Sequence, residues 1–193
     1  MIPEMSKPVY VIFDVPHLVK NVRNNFQGHD LRIGNSVSRW SHIGTFYDVD
    51  KLHSIRLAPR LTDAHIEVSN MSKMRVKYAV QVLSHSVAAG IDTHITTNHT
   101  SDFIEKMDMT FDMLNSTRPF REKPARCAIT ASNHVASQLL GMKEWICQWQ
   151  FEDVRTMSTI KCVWGFTNLN CQHCVFESGV ATRRLPVCLH CSL

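Results

Sequence analysis

The chain has 193 residues, 44% of them hydrophobic and 20% charged, with a formal net charge of +4. That composition describes a globular chain with a core and excludes a disordered one, while so small a charge does not by itself argue for a nucleic-acid partner. No apolar run approaches the roughly 20 residues of a membrane span.

The opening MIPEMSKPVY lacks the charged-then-apolar pattern of a secretory signal. Seven cysteines, an odd number, suit a reduced compartment better than a disulfide framework. The expectation is a nuclear or cytoplasmic protein with no membrane partner.

Residues 9–13, VYVIF, form a short β-branched and aromatic run that reads as a buried strand. The run ends on Asp14, and Pro16 suits the first turn of a following helix, where its missing N–H is not needed. In HLVKNVRNNF, Leu18, Val22 and Phe26 share one helical face, with Lys20, Arg23 and Asn24 elsewhere, and Gly28 stops the helix. Residues 28–47 read as irregular, with Gly, Asn and Ser scattered around Trp40, His42 and Tyr47.

DVDKLHSIRL then reads as a short helix capped by Asp48 or Asp50, and LTDAHIEVSN follows a bend at Pro59. SKMRVKYAVQVLSHSVAAGI is the strongest helical segment: Met74, Tyr78 and Val82 make a stripe, Ser72 caps the start and Gly90 closes the end. TSDFIEKMDMTFDMLNS predicts another helix, capped by Thr100 or Ser101, with Phe103, Met107, Phe111 and Leu114 on one face. A third runs through ARCAITASNHVASQLLGMKEWICQWQF, with a break expected near Gly141. There is no internal repeat. The fold expected is mainly α, with one strand feeding a helical body.

A carboxylate where a strand hands over to a helix is well placed for a ligand, and beside His17 the oxygens of Asp14 suit a hard divalent cation. The competing reading is that Asp14 caps the helix and His17 packs. FDVPHLVKNVRNNF resembles the FD-x-PHL-x-K-x-x-RN segment of P-element-type transposases, the group that includes the THAP-domain relatives. Residues 56–88, FDMLNSTRP at 111–119 and, more loosely, blocks near the C-terminus resemble that family in the same order.

The resemblance implies an RNase H-like catalytic domain interrupted by a mainly helical, GTP-binding insertion. Residues 1–39 would be a short α/β remnant of the catalytic sheet around Asp14, 40–165 the insertion, and 166–193 a degenerate C-terminal segment. Asp14 would be the second of three catalytic acids, a Mg²⁺ ligand in a two-metal in-line displacement. The family's first acid lies upstream of this segment, and its third lies in a block resembling TRRLNQD-x-x-EN, where this chain reads TRRLPVCLHCSL. The expectation is therefore a transposase-derived chain that is not an enzyme by itself.

No Gly-rich phosphate loop is present, but the family binds GTP without one. The resemblance assigns nucleotide contacts to Arg60 (usually lysine in the family), Val76, Ser84, Phe111 and Asp112. Each type has suitable chemistry: a guanidinium pairs with phosphates, an aromatic ring stacks on a base, and a carboxylate accepts from the guanine N1–H and N2–H₂ donors that adenine lacks. By pattern alone, Val76 and Phe111 read as core, and Ser84 as a helical serine bonding its own backbone. An aspartate that the family uses near the nucleotide belongs to the missing NQD block.

Cys171, Cys174, Cys188 and Cys191 form C-x₂-C…C-x₂-C, the pattern of a four-thiolate zinc site. Two readings compete with the nucleotide-binding one. The first is a domesticated nucleic-acid or protein interaction module, a repressor or the partner of a full-length transposase, with phosphate contacts from Lys20, Arg23, Arg32 and Arg39. The second is a zinc-stabilised module built on the cysteine pairs.

Overall fold

The computed structural model describes residues 14–95, 98–115, 134–153 and 159–160, so the strand read over 9–13 lies outside it. In chain order the elements are α1 (Val15–Gly28), β1 (His29–Ile33), β2 (Ser36–Ser38), α2 (Trp40–Asp50), α3 (Asp63–Ile66), α4 (Asn70–Lys73), α5 (Val76–Val82), α6 (His85–His94), α7 (Asn98–Leu114), α8 (Val135–Cys147), β3 (Trp149–Asp153) and β4 (Thr159–Ile160). The protein is mainly helical, as expected, with a small antiparallel sheet in the order β2-β1-β3-β4.

The helix α1 carries its proline in the first turn, and Val22 and Phe26 are buried as the periodicity predicts. The irregular stretch expected over 28–47 is instead a hairpin and a helix. Gly34, at φ 59°, takes the left-handed conformation at the first position of a two-residue Gly-Asn loop, which sets Ile33 opposite Ser36. The β1 strand then pairs with β3, over a hundred residues later, so that Leu31 faces Phe151.

The long helix expected from 72 to 90 is three pieces, α4, α5 and α6. Ser69, not Ser72, caps α4 by accepting from the Ser72 N–H at 3.2 Å. Ser84 ends the second piece, its hydroxyl donating to the Gln81 carbonyl at 2.9 Å. Gly90 does not stop a helix; it lies inside α6, where an added Cβ would meet the Phe46 ring. Thr100 and Ser101 likewise sit inside the first turns of α7 rather than capping it. Gly141 does not break α8, and the chain turns to strand at Trp149.

The core is one apolar cluster fed by α1, α2, α5, α6, α7, α8, β1 and β3. At its centre Phe103 touches Phe26 (4.9 Å between centroids), Trp145 (6.0 Å) and Trp149 (5.6 Å). Polar bonds fix the junction of β2, α2 and α7: Ser38 Oγ donates to His99 O at 2.9 Å, and the Arg39 N–H donates to Thr100 Oγ1 at 3.1 Å. His42 Nδ1 lies 2.7 Å from the same Thr100 oxygen.

Burial, with the neighbouring Arg39 cation, holds the His42 pKa below its ordinary value of 6.5. The folded protein thus favours the neutral ring. Its contribution is complete above pH 6.5 and is lost as pH falls below that value, where the unfolded chain takes up the proton first. Replacing His42 with Gln should therefore flatten the loss of stability between pH 7.5 and 5.5, measured by urea unfolding against the parent.

Gly90→Ala should cost about 1–3 kcal/mol through overpacking against Phe46. Phe46→Leu in the same chain should recover part of that loss in thermal unfolding.

Candidate functional site

The helix expected from Asp48 or Asp50 onward is absent. Asp50 ends α2, and its fully buried carboxylate folds the loop that follows. It accepts from the Leu57 N–H at 2.7 Å, the Ala58 N–H at 3.4 Å and Arg56 Nε at 3.0 Å. Arg56 also donates to the Leu61 carbonyl at 3.0 Å and lies over the Tyr47 ring. The Tyr47 hydroxyl donates to Asp63 at 2.9 Å, and burial together with that carboxylate raises the phenol's pKa. Arg60 stands on this braced loop, exposed and without an ion pair or hydrogen bond among the described residues.

His65, which the sequence analysis did not single out, is buried and tied at both ring nitrogens. Nδ1 accepts from the Thr62 N–H at 3.1 Å, and Nε2 lies 3.0 Å from Gln81 Oε1 on α5. A ring accepting at one nitrogen donates from the other, which makes Nε2–H the donor to Gln81. The ring also packs 4.4 Å from that of Tyr78. His65 therefore does at the start of α3 what Glu or Gln does in a capping box, and it links α3 to α5.

Val76 is the first residue of α5 and half-buried; Ser84 is the residue before α6 and also half-buried. The helices α6 and α7 are packed neighbours joined by a short connection, and His85 Nδ1 lies 3.4 Å from Glu105 Oε1. The start of α6 is thus level with Glu105. Phe111 and Asp112, both buried, lie six and seven residues further on, about 10 Å along α7 at 1.5 Å per residue. Arg60 thus stands on the loop after α2, Val76 and Ser84 at the two ends of the α5 segment, and Phe111 and Asp112 near the end of α7.

Asp14 is exposed at the N-cap position of α1, and its carboxylate contacts His17 Nδ1. Its side chain bonds the histidine instead of a backbone N–H, and His17 is exposed, so the reading in which Asp14 caps the helix and His17 packs does not hold. Among the described residues no group of three or more His, Cys, Asp or Glu is arranged to hold a metal ion. The four cysteines read as a zinc site lie outside the described residues.

Of the four cations considered for nucleic-acid phosphates, three are engaged. Arg32 is bound by Glu152 (2.6 and 3.1 Å), which raises its pKa and lowers that of Glu152. Arg39 pairs with Asp30 at 3.0 Å. Arg23, expected off the core face, is wholly buried, and Lys20 is buried beside it on α1.

Residues 16–127 match the family model described as TNP-like, GTP-binding insertion domain. The chain belongs to that family. The match takes in α1 and the β1–β2 hairpin as well as the helices through α7. Over 116 residues, 56% of the chain, it is 28% identical to the Transposable element P transposase of Drosophila melanogaster, of which it spans 15%. Its fold is that of part of the Drosophila P element transposase strand transfer complex, with a TM-score of 0.61 and 23% identity over 69% of this chain and 32% of that one.

Asp50→Ala should cost about 3–5 kcal/mol in denaturant unfolding, because it leaves Arg56 and two amides without their acceptor. Arg60→Ala, on the same loop, should change stability by less than about 0.5 kcal/mol.

Proposed function

We propose that this chain is a P-element-type transposase derivative whose insertion domain binds GTP and which performs no strand transfer by itself. The observation that carries the reading is membership of the GTP-binding insertion family across residues 16–127. Those residues include Arg60, Val76, Ser84, Phe111 and Asp112, the positions assigned to the nucleotide.

The chemistry around α5–α7 agrees with that reading. Asp112 is a buried acid on a helix whose neighbouring side chains are largely apolar, a setting in which guanine N1–H and N2–H₂ donors would be read strongly against adenine. Phe111 supplies a ring beside it. Arg60 is an exposed cation on a braced loop, able to meet a phosphate without breaking an existing bond, and Mg²⁺ would enter with the phosphates.

The DNA-binding alternative, a nuclear repressor or transposase partner, loses support from the pairing of Arg32 and Arg39 with acids and the burial of Arg23. The similarity to a strand transfer complex keeps DNA as a partner to test rather than a leading one.

Calorimetric titration with GTP and with ATP, Mg²⁺ present, should show saturable GTP binding and a preference of at least about tenfold over ATP. Asp112→Asn should erase most of that preference, and Arg60→Ala should weaken GTP without altering selectivity. A folded protein giving no heat with either nucleotide would overturn the reading.

A further inference from the structure

The loop from Lys51 to Leu61 contains no helix or strand, yet part of it is closed on one carboxylate. Asp50, wholly buried at the end of α2, takes the Leu57 and Ala58 amides and Arg56 Nε. Arg56 carries a second bond on to the Leu61 carbonyl. Residues 57 to 61 are thus fastened at both ends to a single acid–guanidinium pair. Between the fastenings the chain turns: the Leu61 N–H donates to the Ala58 carbonyl at 3.0 Å, with Pro59 and Arg60 as the two corner residues. Proline suits the first corner because its ring sets φ in advance.

Burial follows the same division. Ala58 and Leu61 belong to the core cluster, while Pro59 and Arg60 between them are exposed. Earlier in the loop, Ser54 and Ile55 are exposed and make no hydrogen bond among the described residues. The bracing is therefore applied around Arg60 and not to the loop as a whole. A buried ion pair adds little net stability over apolar packing of the same volume, although breaking it is costly. What it adds here is a defined backbone under an exposed cation. A cation on a backbone already fixed loses less freedom when it takes an anion, and that saving appears as affinity.

We propose that Asp50, Arg56 and Pro59 are positioning residues for nucleotide binding, holding Arg60 in the turn from which its guanidinium meets the phosphates. They act through Arg60 rather than on the nucleotide. The proposal rests on the GTP-binding reading and on Arg60 as its phosphate contact.

Two mild variants of the whole chain test it. Arg56→Lys keeps a cation beside Asp50 but loses the fork that joins it to the Leu61 carbonyl, and Pro59→Ala removes no bond; both should fold. Amide hydrogen exchange at Leu61 should be faster in each. GTP, titrated with Mg²⁺ present, should bind each about fivefold more weakly than the parent, and guanosine should bind all three alike. Added to Arg60→Ala, neither change should weaken GTP further.

Faster exchange at Leu61 with GTP affinity unchanged would overturn the proposal and leave the brace a device of stability alone. A loss shared by guanosine, or one that persists beside Arg60→Ala, would overturn it as well, because a merely structural role does the same. Exchange at Leu61 as slow as in the parent would show that the brace does not hold the turn, and GTP affinity indifferent to Arg60→Ala would remove the residue it acts through; either result overturns it. A folded parent that binds no GTP would instead sink the GTP-binding reading, and the proposal with it.

Discussion

The contact on which the rest depends is the meeting of Phe103 with Phe26, Trp145 and Trp149. These four rings come from α1, α7, α8 and β3, segments spread over more than 120 residues. Each pair contributes on the order of 0.5–1.5 kcal/mol beyond the area it buries, but its larger effect is geometric. It closes the chain by bringing β3 to the edge of the β1–β2 hairpin, and it fixes α7 as the axis against which α1 and α6 are placed. Phe26 and Phe103 lie on either side of residue 40, so one apolar cluster joins α1 and the hairpin to the later helices.

The elements legible in the sequence are those whose stability comes from a single apolar face. Both α1 and α7 carry unbroken helical periodicity, and both stand where that periodicity predicts. The β1–β2 hairpin carried a readable signal as well, the Gly34-Asn35 pair between apolar positions, but its strands are too short to show alternation. Its pairing with β3 is a long-range event that no local pattern records. The false helix after Asp48 has a clear cause: two aspartates before an apolar run imitate an N-cap, and here the second is a buried acceptor for a loop.

The errors around residues 72–90 and on α1 are of a different kind. Composition there is helical throughout, so periodicity merges α4, α5 and α6, whereas the Ser69 cap, the non-helical Arg75 and the break at Leu83–Ser84 divide the chain into three. Arg23 and Lys20 were assigned to an exposed face because charge ordinarily marks one. The carbonyls that Arg23 meets come from α4, about fifty residues away in sequence. The positions assigned to the nucleotide were visible only through family resemblance: Val76 and Phe111 look like core because, in the folded chain, they are half-buried and buried.

The two halves of the protein are thus held by different physics. Around α7 the helices are long and packed by apolar surface, which gives a rigid frame. From Asp50 to Ser84 the helices have four, four and seven residues, too short to be stable by their own cooperativity. Each is instead pinned by a side chain bonding to backbone or to another side chain: Asp50 to the 57–58 amides, His65 to Thr62 and Gln81, Ser69 to Ser72, Arg23 to the end of α4. Such bonds contribute about 1 kcal/mol each and can be exchanged for bonds to a ligand at little net cost. Local opening in a folded domain concentrates where apolar contacts are few and polar latches many. The stretch that carries Arg60, Val76 and Ser84 is built in that way. It lies against α1, which does not share its weakness, so a ligand bound there could reorder short elements without disturbing the core that positions them.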